Sequence, residues 1–275
     1  MSTATLLNYS TYALALALGI FAIIWFAVKR KPVMRSMGIT LNRWLPVDLG
    51  IGLVIPFVAI SLAFVAELLL GAITVTPATL TLTEFMNGLG LLLFGAALEE
   101  FLFRVMLLSG VAILLSRLRY GRWIAVAATA ILFGAIHLSN PGASAITAFG
   151  TGLGGVIYAV AFLATRSVWL PFALHVSWNL SQGLWGLPIS GETLVAGWFT
   201  TSPSGSPLLS GGDYGPEAGI PGMLARVLII TLVLLSVKKR WPEGDLATLR
   251  FAPDPEKRMR QKRSGRRRVH PDAVR

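Results

Sequence analysis

The sequence predicts an all-α, polytopic integral membrane protein, a helical bundle with about seven transmembrane helices. Three observations carry that expectation. Charged residues make up only 13% of the 275 positions and hydrophobic ones 54%, whereas a soluble domain carries about 25% charged residues. Apolar runs long enough to cross a bilayer recur along the whole chain. Basic residues are also segregated: 22 of the 24 Lys and Arg fall in segments that alternate with loops holding none. This pattern argues against a soluble enzyme, a disordered chain and a coiled coil. With no cysteine, the chain has no disulfide framework, no thiolate zinc site and no catalytic thiol.

The first expected span covers residues 9–28. No Lys or Arg precedes it and it is long enough to cross, so it reads as a permanent helix rather than a secretory signal. The second covers 48–71. The third, 87–115, exceeds the bilayer thickness and must tilt or project. The fourth, 123–138, and the sixth, 167–186, are marginal in length; the fifth is 143–165 and the last 220–237. Trp44, Trp123, Trp169 and Trp241 lie near span ends, as interfacial anchors do. The organisation read from this is N-terminal helices over 1–86, a helical core over 87–186, an exposed extracytoplasmic loop over 187–219, a last helix over 220–237 and a basic tail over 238–275. Within the loop, Glu192 to Thr200 reads as a short amphipathic segment resting on the membrane interface.

Charge sets the expected orientation. Residues 29–46, Arg117, Arg119, Arg122, Arg166 and the tail all fall on one side, and the positive-inside rule makes that side cytoplasmic. The N-terminus is then outside. Arg104 and Arg226 are the two exceptions. The net charge of +11 comes largely from the tail, which has no interleaved aromatics. It reads as a cytoplasmic segment held near anionic lipid rather than a nucleic-acid binder.

In hydrocarbon, an ionisable side chain is costly unless paired or wetted, so each one inside a span marks a candidate site. Glu67 lies near the outer end of the second span. Glu99, Glu100 and Arg104 sit in the third, with Glu100 and Arg104 spaced i, i+4 to pair on one face. Glu99 is rotated away from that face and keeps a free carboxylate. In the fourth span Phe133 and His137 share a face, and in the sixth His175 and Asn179 do. The bland alternative is polar glue between helices; three spans each bearing an inward polar cluster argue for chemistry instead. His270 lies in the charged tail and reads as solvated. There is no His-Glu-x-x-His zinc helix and no Gly-x-Ser-x-Gly nucleophile turn. Gly150-Thr151-Gly152-Leu153-Gly154-Gly155 has dinucleotide-loop spacing, but inside a span it reads as small residues for close packing.

The ordered set Glu99-Glu100-x-x-x-Arg104, Phe133-x-x-x-His137 and His175-x-x-x-Asn179 resembles the CPBP family of intramembrane proteases. That family takes in CAAX prenyl proteases and bacteriocin-processing enzymes and is also called Abi. The resemblance implies an intramembrane endopeptidase acting on a peptide or membrane-protein substrate. It implies that Glu99 activates water with His137, that His175 and Asn179 bind the oxyanion, and that Arg104 orients the glutamates mainly through Glu100. Both a metalloprotease and a metal-free, glutamate-dependent mechanism fit it. In the first case His137 and His175, with Glu99 as a further candidate, would hold one divalent ion such as zinc. Two other functions fit the same residues: a non-catalytic membrane protein for bacteriocin immunity or partner scaffolding, and a proton-linked transporter. A prokaryotic plasma membrane suits the chain. There, protein prenylation is not expected, and a leader peptide, a bacteriocin or a membrane-protein fragment is the better substrate guess.

Overall fold

The computed structural model describes residues 38–39 and 41–250. The expected first span, and His270 with most of the tail, lie outside the described residues. The remainder is a helical bundle with one small two-stranded ribbon.

Helix α1 (Leu45–Leu69) opens with a proline in its first turn, where the missing N–H costs nothing. Strand β1 (Ile73–Pro77) follows. Helix α2 (Leu82–Glu100) starts from a capping box: Thr81 Oγ1 accepts the Glu84 N–H at 3.2 Å, and Glu84 Oε2 accepts the Thr81 N–H at 3.3 Å. It runs without a break into a π-helical stretch, Phe101–Leu108, and then into α3 (Ser109–Leu114). The expected third span is therefore a helix, but its middle is wound wider than an α-helix. Such π segments often occur at functional sites.

Helix α4 (Gly121–Ile136) ends in a 3-10 turn, His137–Ser139. Ser144 and Thr147 form a second capping box at the start of α5 (Ala145–Thr165). Helix α6 (Trp169–Leu184) follows, then β2 (Phe199–Pro203), the short α7 (Pro207–Ser210), two 3-10 turns and α8 (Ile220–Arg240).

Among the described residues, four helices are long and apolar enough to cross a membrane: Leu45–Leu69, Gly121–Ser139, Ala145–Thr165 and Ile220–Arg240. The expected sixth span, α6, has 16 residues, short of the roughly 20 a crossing needs. It compensates by being enclosed: Leu170, Leu174, His175, Trp178 and Ser181 are all buried. Helix α1 lies along α6, α4 lies along α5, and α8 packs on both α1 and α5. Gly52 permits the α1–α6 contact, since a Cβ there would fall 2.5 Å from Ala173 Cβ. Asp48 and Arg240 join the start of α1 to the end of α8 with a 2.7 Å ion pair, both side chains buried.

Residues 187–219 differ from the exposed loop expected. β2 pairs antiparallel with β1, from Ile73 opposite Pro203 to Pro77 opposite Phe199. Tyr214 and Glu217 are buried. Glu192 to Thr200 forms no interfacial helix either. Trp185 stacks on Phe199 at 6.0 Å and meets Trp198 edge-on at 5.4 Å. Gly, Ser and Pro were read as marks of a solvated connection, but here they supply tight turns. Gly191 has φ +85°, and a Cβ there would lie 2.1 Å from the Pro141 carbonyl oxygen. Only glycine adopts that conformation at so close an approach without strain.

Candidate active site

The end of α2 supplies Glu99 and Glu100, and the π-helical turn supplies Arg104. Glu100 is fully buried. Its Oε2 lies 3.2 Å from Arg104 Nε, and its Oε1 lies 2.9 Å from His175 Nδ1. The expected i, i+4 pair is thus present, with His175 as its third member. The Arg104 guanidinium sits over the rings of Phe133 at 4.7 Å and Tyr158 at 5.1 Å. A buried cation so placed draws on the negative ring faces as well as on the carboxylate.

His175, on α6, is held on three sides. Tyr158 of α5 stacks on it at 4.6 Å and 14°, Phe133 meets it edge-on at 6.1 Å, and Glu100 accepts the Nδ1–H. The remaining ring nitrogen, Nε2, lies 3.8 Å from Glu99 Oε2. Glu99 behaves as its rotation off the Arg104 face foretold. Its side chain is 20% exposed, and Oε2 is buried without a hydrogen-bond partner in the protein.

His137 caps the end of α4. Its Nδ1 lies 2.7 Å from the Phe133 carbonyl oxygen, so Nδ1 carries the hydrogen and Nε2 keeps the lone pair. The Phe133 and His137 rings are 4.8 Å apart, as the shared helix face implied. Glu99, His137, His175 and Asn179 all line one cavity of about 120 Å³, room for several waters. The six expected site residues are thereby brought together, four on the cavity and Glu100 with Arg104 behind it. Glu67 is not among the lining residues.

Sequence reasoning missed a second buried pair on the same cavity. Glu217 and Arg226 both line it, joined at 2.9 Å between Glu217 Oε1 and Arg226 Nη2. Glu217 also accepts from Trp178 Nε1 at 3.2 Å and from Ser190 Oγ at 2.7 Å. Arg226 donates to the Gly150 carbonyl and lies 4.4 Å over the Trp178 ring. Gly150 and Gly154 make room for this: a Cβ on Gly150 would strike the Glu217 carbonyl, and one on Gly154 would touch the guanidinium. The glycines do serve close packing, though against a 3-10 turn and an arginine. Arg226 alone in the last span was the available signal, since a charge at that depth requires a partner and Glu217 is the nearest acid along the chain.

The donor set of Glu99, His137 and His175 was tested for a metal ion. Among the described residues, no three His, Asp or Glu side chains are grouped to hold one. Each histidine holds Nδ1 on a carbonyl or carboxylate and leaves Nε2 open, an orientation metal ligands share; what is missing is a third grouped ligand. The arrangement does not fit a metal centre as it stands, and no step below passes through one.

One buried and one partly exposed carboxylate, two oriented imidazoles and a carboxamide meet at or beside one cavity of a helical membrane protein. One comparison finds a likeness over the same residues. Residues 80–181 match the family model for type II CAAX prenyl endopeptidases, Rce1-like. That stretch, well under half of the chain, is similar to this family, and it covers every residue of the motif set from Glu99 to Asn179. No curated protein and no solved structure matches the chain.

Proposed function

We propose that this protein is an intramembrane endopeptidase whose Glu99 activates a water molecule against a peptide bond of a membrane-associated protein or peptide. The observation that carries the reading is the position of Glu99: a carboxylate oxygen with no hydrogen-bond partner in the protein, on a cavity shared with His137, His175 and Asn179.

In this reading Glu99 takes a proton from water while the water oxygen attacks the scissile carbonyl carbon. His137, with its lone pair on Nε2, accepts the second water hydrogen bond and orients the nucleophile. The carbonyl oxygen becomes an oxyanion facing Asn179 Nδ2 and His175 Nε2. Asn179 donates in any protonation state; His175 donates from Nε2 only as the imidazolium. Glu100, holding Nδ1–H, keeps the ring turned with Nε2 to the substrate. Glu99 then passes its proton to the leaving amine nitrogen, and the products are a carboxylic acid and an amine. Glu100 and Arg104 act as positioning residues through His175. The substrates best suited are leader peptides, bacteriocins or membrane-protein fragments at a prokaryotic plasma membrane.

The test is cleavage of a quenched fluorescent peptide library by the detergent-purified protein, with Glu99→Ala alongside and with or without a chelator. Glu99→Ala is expected to lower kcat by about 10²–10⁴-fold with an unchanged melting temperature. Cleavage by Glu99→Ala at the wild-type rate would remove the proposed base. Loss of cleavage in chelator would replace the metal-free route with a metal-dependent one.

A further inference from the structure

Among the described residues two tyrosines are buried, Tyr158 at 4% exposure and Tyr214 at 1%. The fold treats their hydroxyls differently. Tyr214 bonds Thr151 Oγ1 at 3.0 Å. Tyr158 makes no hydrogen bond through its hydroxyl to any described residue. Unlike the orphaned oxygens of Glu67, that hydroxyl is not sealed into the core. Tyr158 lines the cavity shared by Glu99, His137, His175 and Asn179. A buried phenol ordinarily finds a partner for its O–H, and leaving a buried donor unpaired costs about 1–3 kcal/mol. The cavity is where that partner has to come from.

Helix packing fixes the ring. Gly155, one turn before Tyr158, lets α5 close on α4: a Cβ there would lie 2.9 Å from Ala130 Cα and 3.3 Å from Phe133 Cβ. The phenol then lies among residues already placed at the site. It stacks on His175 at 4.6 Å, meets Phe133 edge-on at 6.3 Å and has the Arg104 guanidinium 5.1 Å from its centroid. Three contacts thus set the ring before substrate arrives, and a preorganised donor is the kind that stabilises developing charge best. The chemistry also leaves room for one more donor. In the proposed mechanism Asn179 donates to the oxyanion in any protonation state, but His175 does so only as the imidazolium. A phenol carries its hydrogen at neutral pH, whatever the state of His175.

Building on the endopeptidase reading above, we propose that Tyr158 is a further catalytic residue, its O–H donating to the scissile carbonyl oxygen as that oxygen becomes the oxyanion. It acts beside Asn179 and His175. No proton is transferred: the hydrogen bond strengthens as charge builds on the oxygen, and relaxes when the C–N bond breaks and the carbonyl re-forms. A tyrosine that served packing alone would need only its ring, stacked on His175.

Tyr158→Phe keeps the ring and deletes only the hydroxyl. In the detergent-solubilised full chain, with a peptide that the wild type cleaves, it is expected to lower kcat about 10²-fold while KM and the melting temperature hold. Binding of a peptidyl phosphinate, whose tetrahedral anionic oxygen imitates the intermediate, should weaken by a similar factor. Binding of the intact peptide to Glu99→Ala should be the same with and without Tyr158→Phe. Tyr158→Leu, which removes the ring as well, should lose more kcat and melt lower. Wild-type kcat in Tyr158→Phe, with loss only in Tyr158→Leu, would overturn the donor and leave Tyr158 a positioning residue for His175. A rise in KM alone would overturn it too, since the hydroxyl would then bind substrate and oxyanion alike. No cleavage by the wild type would overturn the endopeptidase reading itself, and the role of Tyr158 with it.

Discussion

Arg104 and Arg226 invite comparison. Both guanidinium side chains are nearly inaccessible, 2% and 3% exposed. Each is paired with a buried glutamate and lies over an aromatic ring. What differs is the third partner. The carboxylate of Glu100 goes on to His175, a ring that lines the cavity. The carboxylate of Glu217 goes on to Trp178 and Ser190, which hold α6 and the turn after it in place. The same physical device, a desolvated ion pair on a ring face, would serve the chemistry in one case, on the proposed reading, and the walls of the cavity in the other. The first lies inside the family-matching stretch and the second outside it.

Removing the cations gives the largest expected effect. Arg104→Ala and Arg226→Ala each leave a buried carboxylate without its partner and should destabilise by about 3–5 kcal/mol, read by unfolding in detergent. At a temperature where both variants remain folded, peptide cleavage should separate them. Arg104→Ala should lose kcat by at least about tenfold, because His175 loses its orientation. Arg226→Ala should keep kcat within a few-fold. Equal loss of kcat in the two folded variants would erase the distinction and make Arg226 part of the chemistry.

A smaller effect is expected from the glycines that admit the second pair. A Cβ on Gly150 would lie 1.7 Å from the Glu217 carbonyl oxygen, whereas the nearest atom to one on Gly152 is 3.3 Å away. Gly150→Ala should therefore cost about 1–3 kcal/mol through backbone displacement, and Gly152→Ala well under that. Similar melting temperatures for the two would show that the Glu217 turn does not seat on α5 as described. The smallest change is Ser190→Ala. It removes one hydrogen bond from Glu217 and should cost about 1 kcal/mol, with kcat unchanged. A large drop in kcat would mean that the Ser190 turn shapes the substrate path as well as the wall.

These two pairs also mark how far the sequence could be read. Glu100 and Arg104 are one helical turn apart, so helix geometry alone joins them. The widened turn beginning at Phe101 leaves that pairing intact, though no residue pattern announced it. Glu217 and Arg226 are separated by a glycine-rich break and the start of α8. No periodicity relates them, and only the cost of a lone charge in a span hints at the pairing. The same limit applied to residues 187–219. Glycine, serine and proline indicate turns, but they do not say whether the turns project into solvent or fold back over a site. In the ribbon joining Ile73–Pro77 to Phe199–Pro203, the first segment alternates apolar and polar residues as a strand does, but the pairing is long-range and no local pattern names the partner.

The sequence by itself determined the membrane-bundle class, four of the seven expected spans and the six polar residues that converge. Those properties follow from hydropathy summed over a helix length and from the 3.6-residue turn, both local. Tertiary structure decided that Glu100 reaches His175 rather than Arg104 alone, that Glu99 keeps an oxygen without a hydrogen bond, that Glu217 and Arg226 line the same cavity, and that Tyr158 stacks on His175. Each is a contact between segments distant along the chain. Its existence depends on how whole helices pack, and a local pattern does not encode that.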